Sequence, residues 1–408
     1  MRQETGGGSG RRGPWPCRVS SWKVWGRGPI LRGRPVRCAR NGRISSTTED
    51  HFHNYFGDNP RNRDRLDPGF SRPQNSGHPR RSMLYSPHLP SPSERRMDPA
   101  GPFRFAHDAM HTRFEIVAFG PSEDLVGRIA ETAFRDIDRL EEALSYYLET
   151  SELAGVNREA AAREVEIGPD LAAILEVSRI LHEATGGAFD PSVGPLMKCW
   201  RLHEGTGRVP DPAELATARE RTGFRHVRLD PAQGTVRFGR PGLELDLGGI
   251  GKGYAVDVAA ARLRSFRLPA AMVHGGTSTC CALGAPPGET GWPFRLRSPT
   301  DPARSHGRIR LRDRAISGSA LSDNTFTAGG RTYGHILDPR TGEPARGMSA
   351  AWATAPTATE SDVLSTAFFV LTPEETRAYC EANPEVGAVV LPEGSRRVRR
   401  FGWRDRKP

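Results

Sequence analysis

The sequence predicts an α+β protein with a mixed or antiparallel sheet. Beyond about residue 100, helical periodicity and short strand-like runs follow each other along the chain. Apolar residues line one face of a long helix from Leu125 to Leu144, and a second helix runs from Leu171 to His182 before Gly186-Gly187. Apolar runs predict strands at Arg113–Phe119, Leu243–Leu247, Ala271–Val273, Phe294–Arg297, Arg308–Leu311 and Val386–Leu391.

The first hundred residues do not have the composition of a folded domain. They are rich in Arg, Gly, Pro and Ser, and hold 19 Lys+Arg against 8 Asp+Glu. Their charge is therefore +11, and the remaining residues carry −1, so this segment accounts for the net charge of +10. We therefore expect a disordered basic tail over 1–100, one folded domain over 101–394 and a basic tail over 395–408. Met97 is an alternative translation start. A solvated extension is a simpler interpretation of the long tail than an arm that binds nucleic acid or an anionic membrane.

Targeting and cysteine patterns favour a cytoplasmic protein. The N-terminus lacks the apolar run of a secretion signal, and no stretch is long and apolar enough to span a membrane. The sequence contains no CxxC spacing, so its cysteines indicate neither a structural zinc site nor a disulfide framework. The cysteines are Cys17, Cys38, Cys199, Cys280, Cys281 and Cys380.

The stretch Asp246–Asp257 contains the most informative motif. The predicted strand at Leu243–Leu247 is followed by a glycine-rich turn that holds Lys252, and then by a helical pattern. Backbone N–H groups and a helix N-terminus in this arrangement suit an anionic ligand. The spacing fits neither a P-loop, which needs Ser or Thr after the lysine, nor the G-x-G-x-x-G dinucleotide motif. A purely steric role for the glycines is the alternative.

A second motif, Tyr333–Gly342, brings a histidine, a carboxylate and a guanidinium into ten residues. His335 and Asp338 lie where a predicted strand enters a turn, which is a common location for catalytic groups. In the alternative interpretation, Asp338 caps the turn and pairs with Arg340 on the surface.

A third motif begins a helix at Ala358. Asp362 and Thr366 are four residues apart and share one helix face, with Ser365 beside them. Carboxylate and hydroxyl oxygens suit a hard cation such as Mg²⁺ or Ca²⁺. Alternatively, Asp362 belongs to an ordinary helix start and Thr366 bonds back to a carbonyl.

In this order, the three motifs resemble those of the FAD:protein FMN transferases, the ApbE-type flavin transferases. Thr185–Leu196 is similar to the flavin-site segment of that family, and Leu140–Tyr147 with Ser151–Asn157 is a weaker match. Met110-His-Thr112 resembles the Met-Gly-Thr that opens the family's domain. The resemblance runs from about Met110 to about Leu391.

The resemblance implies two interlocked α/β lobes that bind the flavin nucleotide between them. It places Mg²⁺ on the carbonyl of Gly249 and the side chains of Asp362 and Thr366, next to Ser365. Thr277 departs from the family pattern, which often has Asp or Asn there, and Tyr147 could take the place of Tyr146. The residues that the resemblance places against FAD are Met110, Tyr146, Ala188, Phe189, Asp190, Asp246, Lys252 and Ile336.

The implied reaction is Mg²⁺-dependent transfer of the FMN moiety of FAD to a Thr or Ser hydroxyl of an acceptor flavoprotein, with release of AMP. His335 is the candidate general base; Asp246 and Asp338 are the alternatives, or orient the histidine. Two other functions stay open: an FAD pyrophosphatase that uses water, and a non-catalytic FAD-binding or delivery protein. We expect no nucleic-acid partner.

Overall fold

The computed structural model describes residues 100–299, 301, 304–321 and 325–402. Apart from residue 100, the predicted tail over 1–100 lies outside the described residues. The helices in the described part of the chain are α1 (Glu123–Leu144), α2 (Glu152–Glu159), α3 (Pro169–Ala184), α4 (Gly194–Cys199), α5 (Pro212–Glu220), α6 (Gly251–Ser265), α7 (Ala358–Val370) and α8 (Pro373–Ala382). Its strands are β1 (Ala100–Ala109), β2 (Thr112–Gly120), β3 (Val165–Glu166), β4 (Val227–Asp230), β5 (Thr235–Phe238), β6 (Ala270–Gly275), β7 (Thr279–Gly284), β8 (Trp292–Arg297), β9 (Ser305–Leu311), β10 (Arg314–Ala320), β11 (Phe326–Ala328), β12 (Arg331–Tyr333), β13 (Leu337–Asp338), β14 (Glu343–Pro344), β15 (Met348–Ala355), β16 (Gly387–Pro392) and β17 (Arg399–Phe401).

An antiparallel sheet forms the centre of the molecule, with strand order β1-β2-β6-β7-β10-β15-β16-β17. Its strand β6 is buried on both faces, because Ala271 and Val273 join the cluster under the helices while Ala270 and Met272 join a second cluster beneath the β8–β9 hairpin. Helices α1, α6 and α7 cover the first face. The predicted α+β class is confirmed.

Helix α1 shows how local sequence and packing agree. The Ser122 side chain accepts a hydrogen bond from the backbone N–H of Leu125, and two acidic residues in the first turn favour the helix N-terminus. Its buried face includes Ile129, Ile137 and Leu140, as the helical spacing predicts. Truncating one of these fully buried side chains to Ala typically costs about 2–5 kcal/mol.

A smaller lobe contains the sheet β3-β5-β4 with α2 and α3. Leu171 of α3 and Val236 of β5 belong to the same buried cluster as Ile116 of the central sheet and Leu263 of α6. The two lobes therefore share one apolar core. Helices α4 and α5 form a separate small cluster with Leu337, anchored by a hydrogen bond from Nε1 of Trp200 to the Gly342 carbonyl.

The predicted C-terminal tail over 395–408 is wrong for part of its length. β17 pairs with β16 at the edge of the central sheet, with Arg400 opposite Val389, and the ring of Phe401 packs against the core. A short, arginine-rich strand lacks the apolar alternation that marks a strand in sequence, but exposed edge strands commonly carry such charge. Residues 403–408 lie outside the described residues.

The predicted strand at Leu243–Leu247 is also wrong. Its leucines are buried alternately, as in a strand, but the backbone pairs with no neighbouring strand in the described residues. Instead, the side-chain amide of Asn157 accepts from the N–H of Leu245 and donates to its carbonyl, and the N–H of Asp246 donates to the Pro191 carbonyl. The side chain of Asn157 thus satisfies the backbone groups of Leu245 that a neighbouring strand would satisfy in a sheet.

No helix in the described residues is long and apolar enough to cross a membrane.

His274 on β6 predicts a pH-dependent stability. Burial, with a smaller contribution from Arg104, lowers the pKa of His274 to about 3 from an ordinary 6.5. Below pH 6.5 the unfolded chain therefore takes a proton that the folded chain refuses, so stability falls as the pH falls towards 3. Between pH 7 and pH 5 this loss is about 2 kcal/mol. Urea unfolding at both pH values should show that this change in pH destabilises the wild type by about 2 kcal/mol more than it destabilises His274→Leu, because the other titrating groups are common to both chains. An equal pH dependence of the two chains would contradict the prediction.

Candidate active site

A cavity with a volume of about 800 Å³ lies where the two lobes of the molecule meet. Its wall combines the β1–β2 turn, the residues after α1, the segment before α4, the start of α6, the β6–β7 turn, the end of β10, the segment around β13 and one face of α7. This volume is within the range of cavities that hold drug-sized ligands and cofactors.

Met110 and His111 form the two-residue turn between β1 and β2. Both have positive φ, 49° and 55°, which the preferred two-residue hairpin turn requires but non-glycine residues rarely adopt. The turn presents both side chains to the cavity. Strand β1, which was not predicted, therefore holds the predicted flavin-contact residue Met110 in place.

Aromatic rings follow the end of α1. The ring of Tyr146 lies against His203, with centroids 4.3 Å apart, and Tyr147 meets both rings edge-on. The hydroxyl of Tyr146 donates to Oε2 of Glu244 at 2.8 Å, and burial together with this bond raises the pKa of Tyr146. Both tyrosines line the cavity, but Tyr147 is 57% exposed, so Tyr146 is the better ordered surface for a planar ring.

The segment from Ala188 to Asp190 forms a second wall. Ala188 and Phe189 are buried beside the cavity, as the resemblance implies. Asp190 also lines it, but its carboxylate accepts from the backbone N–H groups of Ser192 and Phe224. This carboxylate therefore shapes the wall, because its hydrogen bonds hold the two chain segments together.

The glycine turn leads into α6 as predicted. The N-terminus of α6 opens on the cavity at Gly251 and Lys252. The Gly251 N–H donates to the Leu247 carbonyl at 2.7 Å, and the cap residue Ile250 has no side chain that accepts a hydrogen bond from the first turn. Nζ of Lys252 lies 3.8 Å from Oδ2 of Asp362 and 3.4 Å from the Gly248 carbonyl. An ammonium next to a helix N-terminus provides two sources of positive potential for an anionic ligand.

Asp362 and Thr366 face the cavity from α7, as their spacing predicts. Asp362 is 4% exposed, and its oxygens accept from the Gly253 N–H at 3.0 Å and from Oγ1 of Thr279 at 2.9 Å. A carboxylate has about four acceptor positions, so two remain for a cation. The turn lies close by, since a methyl group at Gly249 would be 3.9 Å from Oγ1 of Thr366.

The oxygen atoms of Asp362, Thr366 and the glycine turn fit a hard divalent cation as ligands. The set consists of one carboxylate, one hydroxyl and the backbone of the glycine turn, and all of them supply oxygen. The described residues contain no group of three or more His, Cys, Asp and Glu side chains placed to hold a metal, as a zinc site would require. The predicted metal residues Gly249, Asp362 and Thr366 thus lie together.

Ser365 does not join them. It is fully buried behind the cavity wall, where its hydroxyl bonds Oγ of Ser319 at 2.9 Å and the Asp362 carbonyl at 3.0 Å. Ser361 makes a similar contact with Ser317 at 2.8 Å. Ser365 therefore ties α7 to β10, and we withdraw it as a metal ligand.

Asp338 also lies outside the cavity lining. Its carboxylate forms a two-point ion pair with the Arg340 guanidinium at 2.9 Å and accepts from the Arg340 N–H, which is the surface alternative set out above. His335 and Ile336, from the same motif, do line the cavity. We therefore keep His335 as a candidate base and drop Asp338.

The structure adds a histidine that was not predicted. Nε2 of His203 lies 2.7 Å from Oδ2 of Asp246, whose other oxygen accepts from the Gly248 N–H. Nδ1 of His203 is buried without a hydrogen-bond partner in the described residues. Their separation of 43 positions along the chain explains why the sequence did not reveal this pair. In addition, Thr277, Ser278 and Ser319 line the cavity.

Fold and site together define an α+β protein with a nucleotide-sized cavity, which is lined by Lys252, the α6 N-terminus and the oxygen atoms of Asp362 and Thr366. The model of the ApbE family matches residues 110–390, so the chain belongs to the ApbE family.

Relatives and solved structures agree with this membership. A protein of Treponema pallidum called FAD:protein FMN transferase is 32% identical over 276 residues, which are 64% of this chain and 76% of the relative. A protein of Klebsiella pneumoniae with that name is 26% identical, over 64% of this chain and 82% of the relative. The ApbE protein of Thermotoga maritima has 30% identity and a TM-score of 0.67, covering 73% of this chain and 96% of that structure. The flavinyl transferase ApbE of Pseudomonas stutzeri has 25% identity and a TM-score of 0.65, with coverage of 73% and 94%.

Proposed function

We propose that this protein is an enzyme that transfers the FMN moiety of FAD to a Thr or Ser hydroxyl of an acceptor flavoprotein and releases AMP. The names of its relatives support FAD as the substrate and a protein as the acceptor. The observation that carries the proposal is the meeting of Lys252, the α6 N-terminus and the Asp362–Thr366 face at one end of the cavity. The predicted cytoplasmic location stays a prediction.

In the proposed reaction, the acceptor hydroxyl oxygen attacks the phosphorus of the FMN half. A new P–O bond forms to the acceptor, the pyrophosphate P–O bond to AMP breaks, and the hydroxyl proton passes to a base. The chain holds the pyrophosphate with Lys252 and the α6 N-terminus, which offset its negative charge.

Mg²⁺ fits the site as the cation. Asp362, Thr366 and the carbonyl of Gly249 would hold it, and when bound it neutralises charge on the phosphates. The residues around Tyr146 and Phe189 would hold the flavin ring by stacking and apolar contact.

Two histidines in the cavity are candidates for the base. His335 follows β12 and lines the cavity beside Ile336. His203 is the second candidate, since it lines the cavity and Asp246 at Nε2 orients its ring. A neutral imidazole can accept a hydroxyl proton near neutral pH.

The test incubates the full chain with FAD, Mg²⁺ and a candidate acceptor flavoprotein. We expect one AMP per modified acceptor, an acceptor mass increased by one FMN residue, and a modified Thr or Ser on peptide mapping. Chelation of the metal should stop both products. AMP and free FMN without a modified acceptor would instead identify an FAD pyrophosphatase, and FAD binding without AMP would identify a binding or delivery protein.

A further inference from the structure

Helices α6 and α7 cap each other. The carboxylate of Asp362 on α7 accepts from the N–H of Gly253 in the first turn of α6. The carboxylate of Asp257 on α6 accepts from the N–H groups of Ala358 and Thr359 in the first turn of α7, both at 2.8 Å. Each helix thus supplies an acceptor for backbone donors that the other helix leaves free at its N-terminus.

The spacing along each helix makes this exchange possible. Gly253 and Asp257 are four residues apart on α6, as are Ala358 and Asp362 on α7, so each pair lies on one helix face. The backbones touch at Gly253, where a methyl group would lie 2.5 Å from the Ala358 carbonyl oxygen and 2.8 Å from Cβ of Asp362. Only glycine permits so close an approach, which brings each carboxylate within reach of the other helix.

Asp257 accepts three hydrogen bonds at the start of α7. In addition to the two backbone bonds, Oδ2 accepts from Oγ1 of Thr359 at 2.6 Å. The sheet holds α7 through the Thr279 hydroxyl, which donates to Oδ1 of Asp362, and through neutral hydroxyl pairs to Ser317 and Ser319. A carboxylate makes stronger hydrogen bonds than a neutral acceptor, so the three bonds that Asp257 accepts from Ala358 and Thr359 fix where α7 begins.

We propose that Asp257 is a positioning residue for the candidate metal site: by fixing the start of α7 against α6, it sets Asp362 and Thr366 relative to Lys252. The inference rests on the proposed function, because it takes Asp362 and Thr366 as the metal ligands. Asp257 itself does not line the cavity in the described structure. Its effect therefore passes through the helix, as it does for residues that orient metal ligands from behind.

The test measures metal affinity without turnover. Asp257→Asn keeps the side-chain shape but replaces one acceptor oxygen with an NH₂ group that faces backbone donors. Loss of such a supporting residue typically weakens metal binding by about 10–100-fold. We expect the Mg²⁺ dissociation constant, fitted to the metal-induced rise in melting temperature and here called the Mg²⁺ midpoint, to increase by that factor, while FAD affinity without metal stays within about twofold of the wild type.

Asp136→Asn is the matched control. Asp136 on α1 binds Arg262 on α6, with 2.8 Å between Oδ2 and Nε. The Asp136→Asn substitution therefore loosens α6 at a contact that does not involve α7. Its Mg²⁺ midpoint should equal that of the wild type. Thr359→Val removes only the hydroxyl bond and should raise the midpoint by about three- to tenfold, since one hydrogen bond contributes about 1 kcal/mol. This milder variant decides the matter if Asp257→Asn does not fold.

The outcomes separate this inference from the proposed function. A wild type with no Mg²⁺-induced rise would overturn the metal assignment and the inference with it. A normal wild-type response with an unchanged midpoint in Asp257→Asn, or in Thr359→Val, would overturn the inference alone. Equal losses of Mg²⁺ and FAD affinity in Asp257→Asn would also overturn it, because they would show a general structural role.

Discussion

Replacing Asp362 with Asn is expected to lower Mg²⁺-dependent cleavage of FAD by at least about 100-fold, because a metal ligand that loses its charge forfeits several kcal/mol of transition-state stabilisation. Asn retains one oxygen for the N–H of Gly253 or the hydroxyl of Thr279, so the contact between α6 and α7 persists in part. Asp362→Ala should show the same loss of activity. It should also be less stable by about 1–3 kcal/mol, because it leaves buried donors without an acceptor.

The measurement is AMP release with FAD in excess, over a titration of Mg²⁺. Asp170→Asn is the control, since Asp170 is a carboxylate of α3 that binds Tyr254 and Arg139 and does not line the cavity. It should retain wild-type metal dependence. If Asp362→Asn turned over FAD at the wild-type rate and with the wild-type Mg²⁺ requirement, the assignment of the metal to the α7 face would be wrong.

Replacing His335 with Ala is expected to reduce transfer to the acceptor by about 10²–10⁴-fold, the usual cost of losing a general base. A base acts on the chemical step, so FAD affinity should change far less than turnover. A structural residue would behave differently, because its loss would lower stability and FAD affinity together.

His203→Asn gives the comparison that decides between the two candidate bases. Each variant is titrated with FAD by fluorescence, and AMP release is followed with an acceptor present. We expect His203→Asn to weaken FAD binding more than it slows transfer, since the ring of His203 packs on Tyr146. A larger loss of turnover in His203→Asn than in His335→Ala would assign the base to the His203–Asp246 pair.

The sequence predicted best those features that depend on one local element. Asp362 and Thr366 lie on one face of α7 because four residues make about one turn of any α-helix. The glycine turn and the start of α6 were likewise predictable. The family resemblance then placed eight flavin-site residues, all of which line one cavity in the structure.

Prediction failed where two elements compete for one polar group. Asp338 had a plausible partner in the cavity and another two residues away in Arg340; the structure shows the nearer one. Leu243–Leu247 has the alternation of a strand, but the side chain of Asn157 takes the place of a neighbouring strand. Alternating burial indicates which side chains face the core, but it does not indicate which partners the backbone N–H and C=O groups bind.

The sequence by itself determined the fold class, the α6 glycine turn and the α7 oxygen face, since short-range spacing fixes each of these within a single element. Only the tertiary structure decided that Asp246 orients His203, that Asp257 caps α7, and that Ser365 faces β10 and not the cavity. The first two of these contacts join residues 43 and 101 positions apart. Such contacts arise from the way buried faces pack, and a short polar motif carries no information about which distant element its side chain will meet.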